Sequence, residues 1–193
     1  MRRASKAMDA ARARYARGKA DGDAMYDVER YIAACAAYDD AVSAIEEALV
    51  LTNALEEEEE EARSFWMRKM CVVKANRAAC LNKRQMPKEA IEDCECVIAH
   101  GVGVAPPEVV VKAFYRRGCA FERMGDADAA IASFEYALQI EPTNEMVRLH
   151  LKKFKCVFHR ACVLHKASPE VLARQTKFRN FTSRPNLRHM QGE

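Results

Sequence analysis

Residues 112–142, KAFYRRGCAFERMGDADAAIASFEYALQIEP, constrain this chain more than any other stretch. Apolar residues recur there every three or four positions, the period of a helix buried on one face. Gly125 and Asp126 interrupt the pattern, and Pro142 closes it. A glycine followed by an acid suits the end of one helix and the cap of the next. The segment therefore reads as two antiparallel amphipathic helices. Phe114, Phe121, Ala130, Phe134 and Ala137 fall on their packing faces, and Gly118 sits where the two must approach closely.

This pattern resembles one tetratricopeptide repeat, a 34-residue pair of helices that stacks with its neighbours into a solenoid. The phase of this unit starts at Val111. Slid back along the chain, the same template finds a second match starting at Cys71. There Ala78 takes the small position, with Leu81, Ala90 and Cys94 at the packing positions. Its turn, NKRQMPKE, places Pro87 in the first turn of a helix, where the missing N–H is harmless. A third match starts at Tyr15, with Gly22, Met25, Tyr31, Ala34, Tyr38 and Ala41 at the equivalent spacing. Strand signals are nearly absent, and good helix formers dominate. The fold expected from the resemblance is all-α: a right-handed superhelix (α-solenoid) of three helix pairs, 15–48, 71–104 and 111–144, plus a capping helix over 145–166.

Other segments fill in the layout. Residues 1–14 read as a basic helical extension. Residues 49–70 form an acidic helical insertion containing six consecutive glutamates, Glu56 to Glu61. Asn53 followed by Glu56 fits a helix cap and its partner, so the second unit's first helix is expected to start near Asn53. The stretch HGVGVAPPE after the second unit reads as a loop. In the capping helix, Met146, Leu149, Leu151, Phe154, Val157 and Phe158 are expected to form the apolar stripe that covers the solenoid's last face. Residues 167–193 are a basic tail with Phe178 and Phe181 as its only aromatics.

The first helices of stacked repeats line the concave face, so their polar residues define the groove. Lys19 and Asp23 stand one turn apart on the first, Asn76 lies on the second, and Lys112 and Arg116 stand one turn apart on the third. Three cations, one amide and one acid converging from three repeats suit a peptide ending in carboxylates, because charge-assisted bonds are the strong ones. The layout resembles the carboxylate-clamp tetratricopeptide domains of co-chaperone and immunophilin-type adaptors. Such domains bind the C-terminal Glu-Glu-Val-Asp tail of heat-shock chaperones. The resemblance spans roughly residues 15–145. It implies a non-enzymatic adaptor whose partner is a chaperone tail or another acidic C-terminus, acting as a monomer or as one subunit of a complex.

Four of the five positions match the family pattern, and Asp23 replaces an asparagine. An ionised aspartate accepts but cannot donate. At about 4 Å from a ligand carboxylate it would be repelled by up to ~4 kcal/mol at a dielectric near 20. Lys19, Lys112 and Arg116 should still leave the pocket net positive, so weakened or altered tail recognition is expected. The competing reading is a scaffold or receptor subunit that uses its convex face or basic tail.

Composition excludes much else. The net charge of +3 is too small to imply nucleic acid or membrane. No apolar run approaches a membrane span, and no secretory apolar region opens the chain. The eight cysteines stand mostly where helices take small apolar residues, which points to reduced thiols packed as hydrophobes. Cys156, His159, Cys162 and His165 recur every three residues, but each step falls short of a full turn by roughly 60° and scatters them round the helix. Cys94 and Cys96 diverge for the same reason. No metal or cofactor is expected. The Arg- and Ala-rich start has the composition of a mitochondrial presequence. It nevertheless runs straight into the helix bearing Lys19, so a solvated extension and a cytoplasmic protein are the expectation. Phosphate loops, metalloprotease motifs and nucleophile elbows are absent, which argues against an enzyme.

Overall fold

A computed structural model describes residues 2–52 and 59–164 of the chain. Over these residues it is all-α: α1 Arg2–Asp27, α2 Tyr31–Thr52, α3 Glu59–Lys83, α4 Pro87–Gly101, α5 Pro107–Met124, α6 Ala127–Ile140 and α7 Glu145–Leu164. Consecutive helices pack on each other, α3 also packs against α5, and α7 packs on α6. The first helices of the pairs, α1, α3 and α5, thus form one layer. The Asn53 cap and the 167–193 tail lie outside the described residues.

Within each pair the closest approach has a fixed register. A Cβ built on Gly22 would stand 2.5 Å from the Tyr38 ring, and one on Gly118 would stand 2.5 Å from the Phe134 ring. The middle pair places Ala78 and Cys94, both fully buried, at the same two positions. Glycine thus faces an aromatic ring twice, and the equivalent positions of the middle pair hold alanine and cysteine. The facing volumes compensate, as close packing requires.

The three turns within the pairs also share one geometry. Glu29, Gln85 and Gly125, each seven residues past its small residue, have φ of 60°, 60° and 77°. At each turn this residue and the next donate backward. Glu29 N reaches Tyr26 O and Arg30 N reaches Met25 O; Gln85 N reaches Asn82 O and Met86 N reaches Leu81 O; Gly125 N reaches Glu122 O and Asp126 N reaches Phe121 O. A left-handed residue ends each helix and satisfies carbonyls that would otherwise be orphaned. Asp126 then caps α6 by accepting from Ala129 N at 3.0 Å. Pro87 and Pro107 open α4 and α5, where a proline is tolerated.

The core falls into two clusters. One joins α1 to α4 and the inner face of α5; the other joins α5, α6 and α7. The inserted segment contributes an anchor that the glutamate run hides: Trp66 is 1% exposed and meets the Tyr15 ring edge-on at 6.1 Å. In α7 the expected stripe needs correction. Val147 and Leu151 are buried and Phe154 is half-buried, whereas Met146, Leu149 and Val157 are exposed. The helical period selects 147, 151 and 154 as one face, and residues 146, 149 and 157 fall outside it.

Arg77 ties the first two pairs together. Its guanidinium donates to both oxygens of buried Asp93 on α4, at 2.7 and 2.6 Å, and to Asp39 on α2 at 2.5 Å. The Asp93 hydrogen bonds, against a smaller opposing effect of burial, push the Arg77 pKa upward. Thiols fill small core positions: Cys35, Cys71, Cys80 and Cys94 are free and buried.

Candidate functional site

A cleft of about 340 Å³ opens on the layer formed by α1, α3 and α5. Asp23, Tyr26, Asp27, Tyr38, Asn76, Ala79 and Arg116 line it. Residues from the first helix of all three pairs therefore meet at one place. Tyr38 of α2 completes the lining, reaching between the first helices to Asp23.

Asp23 is the hub of the cleft. Its Oδ2 accepts from Lys19 Nζ at 2.5 Å. Its Oδ1 accepts from the Tyr38 hydroxyl at 2.6 Å and from Asn76 Nδ2 at 3.2 Å. Burial alone would raise this carboxyl's pKa. The hydrogen bonds from Lys19 and Tyr38, the Lys19 charge and the Asn76 amide outweigh it, and hold the group below the usual carboxylate range. Tyr38 moves the opposite way: burial first, then its bond to the Asp23 carboxylate, raises the phenol pKa.

Arg116 forms the other wall. Its guanidinium donates to the Ala75 carbonyl, and lies 3.5 Å from Asn76 Oδ1. Burial lowers its pKa, yet a guanidinium stays charged at any physiological pH. Its own carbonyl accepts from Asn82 Nδ2 at 2.8 Å, which holds α5 against α3. Asn76 thus stands between Asp23 and Arg116, giving its amide N–H to one and its oxygen to the other.

Of the five residues expected in the groove, Asp23, Asn76 and Arg116 line the cleft directly. Lys19 reaches it through Asp23. Lys112 is exposed one turn before Arg116, outside the lining. Lys19 is paired with Asp23 at 2.5 Å. Asp27 also lines the cleft and was not among the expected residues. With Asp23 and Asp27 set against Lys19 and Arg116 the charges balance, and Lys112, one turn away on α5, adds one positive charge outside the lining. Asp27 follows Asp23 by one helical turn, so the i, i+4 rule could have found it. Tyr38 stood among the packing residues, and only its hydroxyl partner assigns it to the cleft.

The fold and this cleft define the class of protein: an all-α tetratricopeptide-repeat solenoid, a fold that serves protein–protein interaction. Residues 111–144 match the family model of the tetratricopeptide repeat. Among curated proteins, aryl-hydrocarbon-interacting protein-like 1 of Mus musculus and of Rattus norvegicus are each 26% identical over 126 residues. That alignment covers 64% of this chain and 34% of each relative, so the chain spans about a third of the length of the curated relatives it matches. Among solved structures, the second TPR domain of human RPAP3, in complex with the HSP70 peptide SGPTIEEVD, superposes with a TM-score of 0.54 at 25% identity. It covers 75% of this chain and 98% of that one. The Arabidopsis OM64 TPR domain is also similar, with a TM-score of 0.49 at 24% identity, covering 77% of this chain and 96% of that one.

Proposed function

We propose that this chain is a non-enzymatic adaptor whose α1–α3–α5 cleft binds an acidic peptide of a partner protein. The C-terminal tail of a heat-shock chaperone is the first ligand to test. One observation carries the reading: Asp23, Asn76 and Arg116, from three separate helix pairs, line a single cleft, with Lys112 exposed one turn before Arg116 on α5. The likeness to a repeat domain in complex with an HSP70 peptide supports it.

The division of labour within the cleft is uneven. Arg116 and Lys112 offer positive charge one turn apart on α5, suited to acidic side chains. The α1 side offers a carboxylate whose three hydrogen-bond donors are already engaged with it. An incoming terminal carboxylate must compete with Asp23 for Lys19 and Asn76. Tail binding should therefore be weak in the native chain and dominated by α5.

Fluorescence polarisation with a labelled peptide ending in Glu-Glu-Val-Asp tests this. Asp23→Asn should tighten binding by roughly tenfold, about 1.4 kcal/mol. Lys112→Glu should abolish it. Lys112 is the cleaner probe of α5, because Arg116 also braces the Ala75 carbonyl. Binding that is indifferent to both Lys112→Glu and Arg116→Ala would rule out the cleft as the site.

A further inference from the structure

A second polar cluster lies away from the cleft, between α5 and α7. Cys119, Glu122 and His150 bring a thiol, a carboxylate oxygen and a ring nitrogen all within 4.8 Å of one another, each residue half-buried. Cys119 and Glu122 are three residues apart on α5 and share a face. His150 comes from α7. Its Nε2 lies 2.9 Å from Glu122 Oε2, and its Nδ1 lies 3.3 Å from the Tyr115 hydroxyl. The ring is held further by Tyr115, edge-on at 5.4 Å between centroids, and by Phe134 at 4.9 Å. One imidazole nitrogen thus faces the cluster, and the other is oriented by a hydroxyl. That is how protein metal sites fix a ligating histidine.

We propose that Cys119, Glu122 and His150 form a three-ligand site for Zn²⁺, with the fourth position open to water. The donor set decides the metal. A thiolate and an imidazole suit a borderline ion such as zinc, while magnesium and calcium require oxygen donors. Ligand atoms around a tetrahedral zinc stand roughly 3.5 Å apart, given bonds of about 2.0 to 2.3 Å. Binding releases the Cys119 proton to solvent and removes the proton that His150 Nε2 shares with Glu122. The ring keeps its remaining N–H at Nδ1, toward the Tyr115 oxygen, and bonds to the ion replace the Glu122–His150 contact.

The consequence is mechanical. α7 rests mainly on α6, and zinc would fasten it directly to α5. That helix also carries Lys112 and Arg116, so occupancy of the metal site would stiffen the basic wall of the cleft.

Cobalt titration of the full chain tests the site, in a Cys156→Ser/Cys162→Ser background that removes the two α7 thiols. The expected result is one Co²⁺ per chain with a thiolate-to-metal charge-transfer band, displaced by one equivalent of Zn²⁺. Cys119→Ser should abolish the band. His150→Gln and Glu122→Gln should each weaken Zn²⁺ binding at least tenfold, with helical circular dichroism retained. Absence of metal uptake, a band that survives Cys119→Ser, or an affinity unchanged in His150→Gln would overturn the proposal.

Discussion

Asp23 shows how far one side chain can recast a site. Its carboxylate takes the donors that a ligand carboxylate would seek, and its low pKa follows from them. The sign of the pH effect is definite. A carboxyl whose folded pKa is depressed contributes stability above its unfolded value, near 4, and loses it as pH falls through the folded value. The stability difference between the native chain and Asp23→Asn should therefore be widest at neutral pH and shrink below about pH 4. Urea unfolding midpoints measured across that range check this. Arg77 and Asp93 give a larger effect at the same scale. Asp93 has 4% of its side chain exposed, so removing Arg77 leaves a buried charge unpaired. Arg77→Ala should destabilise by about 3 to 5 kcal/mol, read from chemical denaturation. Arg77 was legible in the sequence only as part of Asn76-Arg77-Ala78-Ala79. Its partners lie 16 and 38 positions away, beyond any local pattern.

Helices and turns follow rules that repeat down the chain. The left-handed turn residue is glycine once and a residue with a Cβ twice. A non-glycine residue there carries a strain of about 1 kcal/mol. Gln85→Gly should raise the melting temperature slightly, the relieved strain being partly offset by the greater freedom of the unfolded chain. The opposite change at the helix contact should do harm. Gly118→Ala pushes a methyl group into the Phe134 ring, and overpacking of this kind destabilises by about 1 to 3 kcal/mol. Calorimetry on the two variants would show shifts of opposite sign. The positions of these small residues could be read directly, since Gly22, Ala78 and Gly118 stand at one phase of the repeat. The burial of α7 could not be read as well. Apolar residues occupy several of its sides, and packing on α6 alone selected Val147 and Leu151.

At the scale of the molecule, the chain is a stack in which each pair touches its neighbours. The two core clusters meet at α5 and at Ile98, which packs against both. Such a stack loses its ends before its middle. Phe134 is fully buried in the second cluster, and Phe134→Ala should cost about 3 to 5 kcal/mol. Hydrogen exchange should then show α5–α7 losing protection while α1–α4 retain theirs. Uniform loss of protection would mean that the pairs unfold as one unit.

Periodicity and turn residues were enough to read helix pairs and their phase, because these depend on spacings within a repeat; the meeting of Asp23, Asn76 and Arg116 rested on the stacking that the resemblance implied. The state of the groove depends on contacts between repeats. That Lys19 is already paired, that Tyr38 donates into the cleft and that Asp27 balances its charge all follow from how α1 settles against α2 and α3. The Cys119–Glu122–His150 cluster arises in the same way. Two of its members are a helical turn apart in sequence, and the third arrives only when α7 folds back over α5.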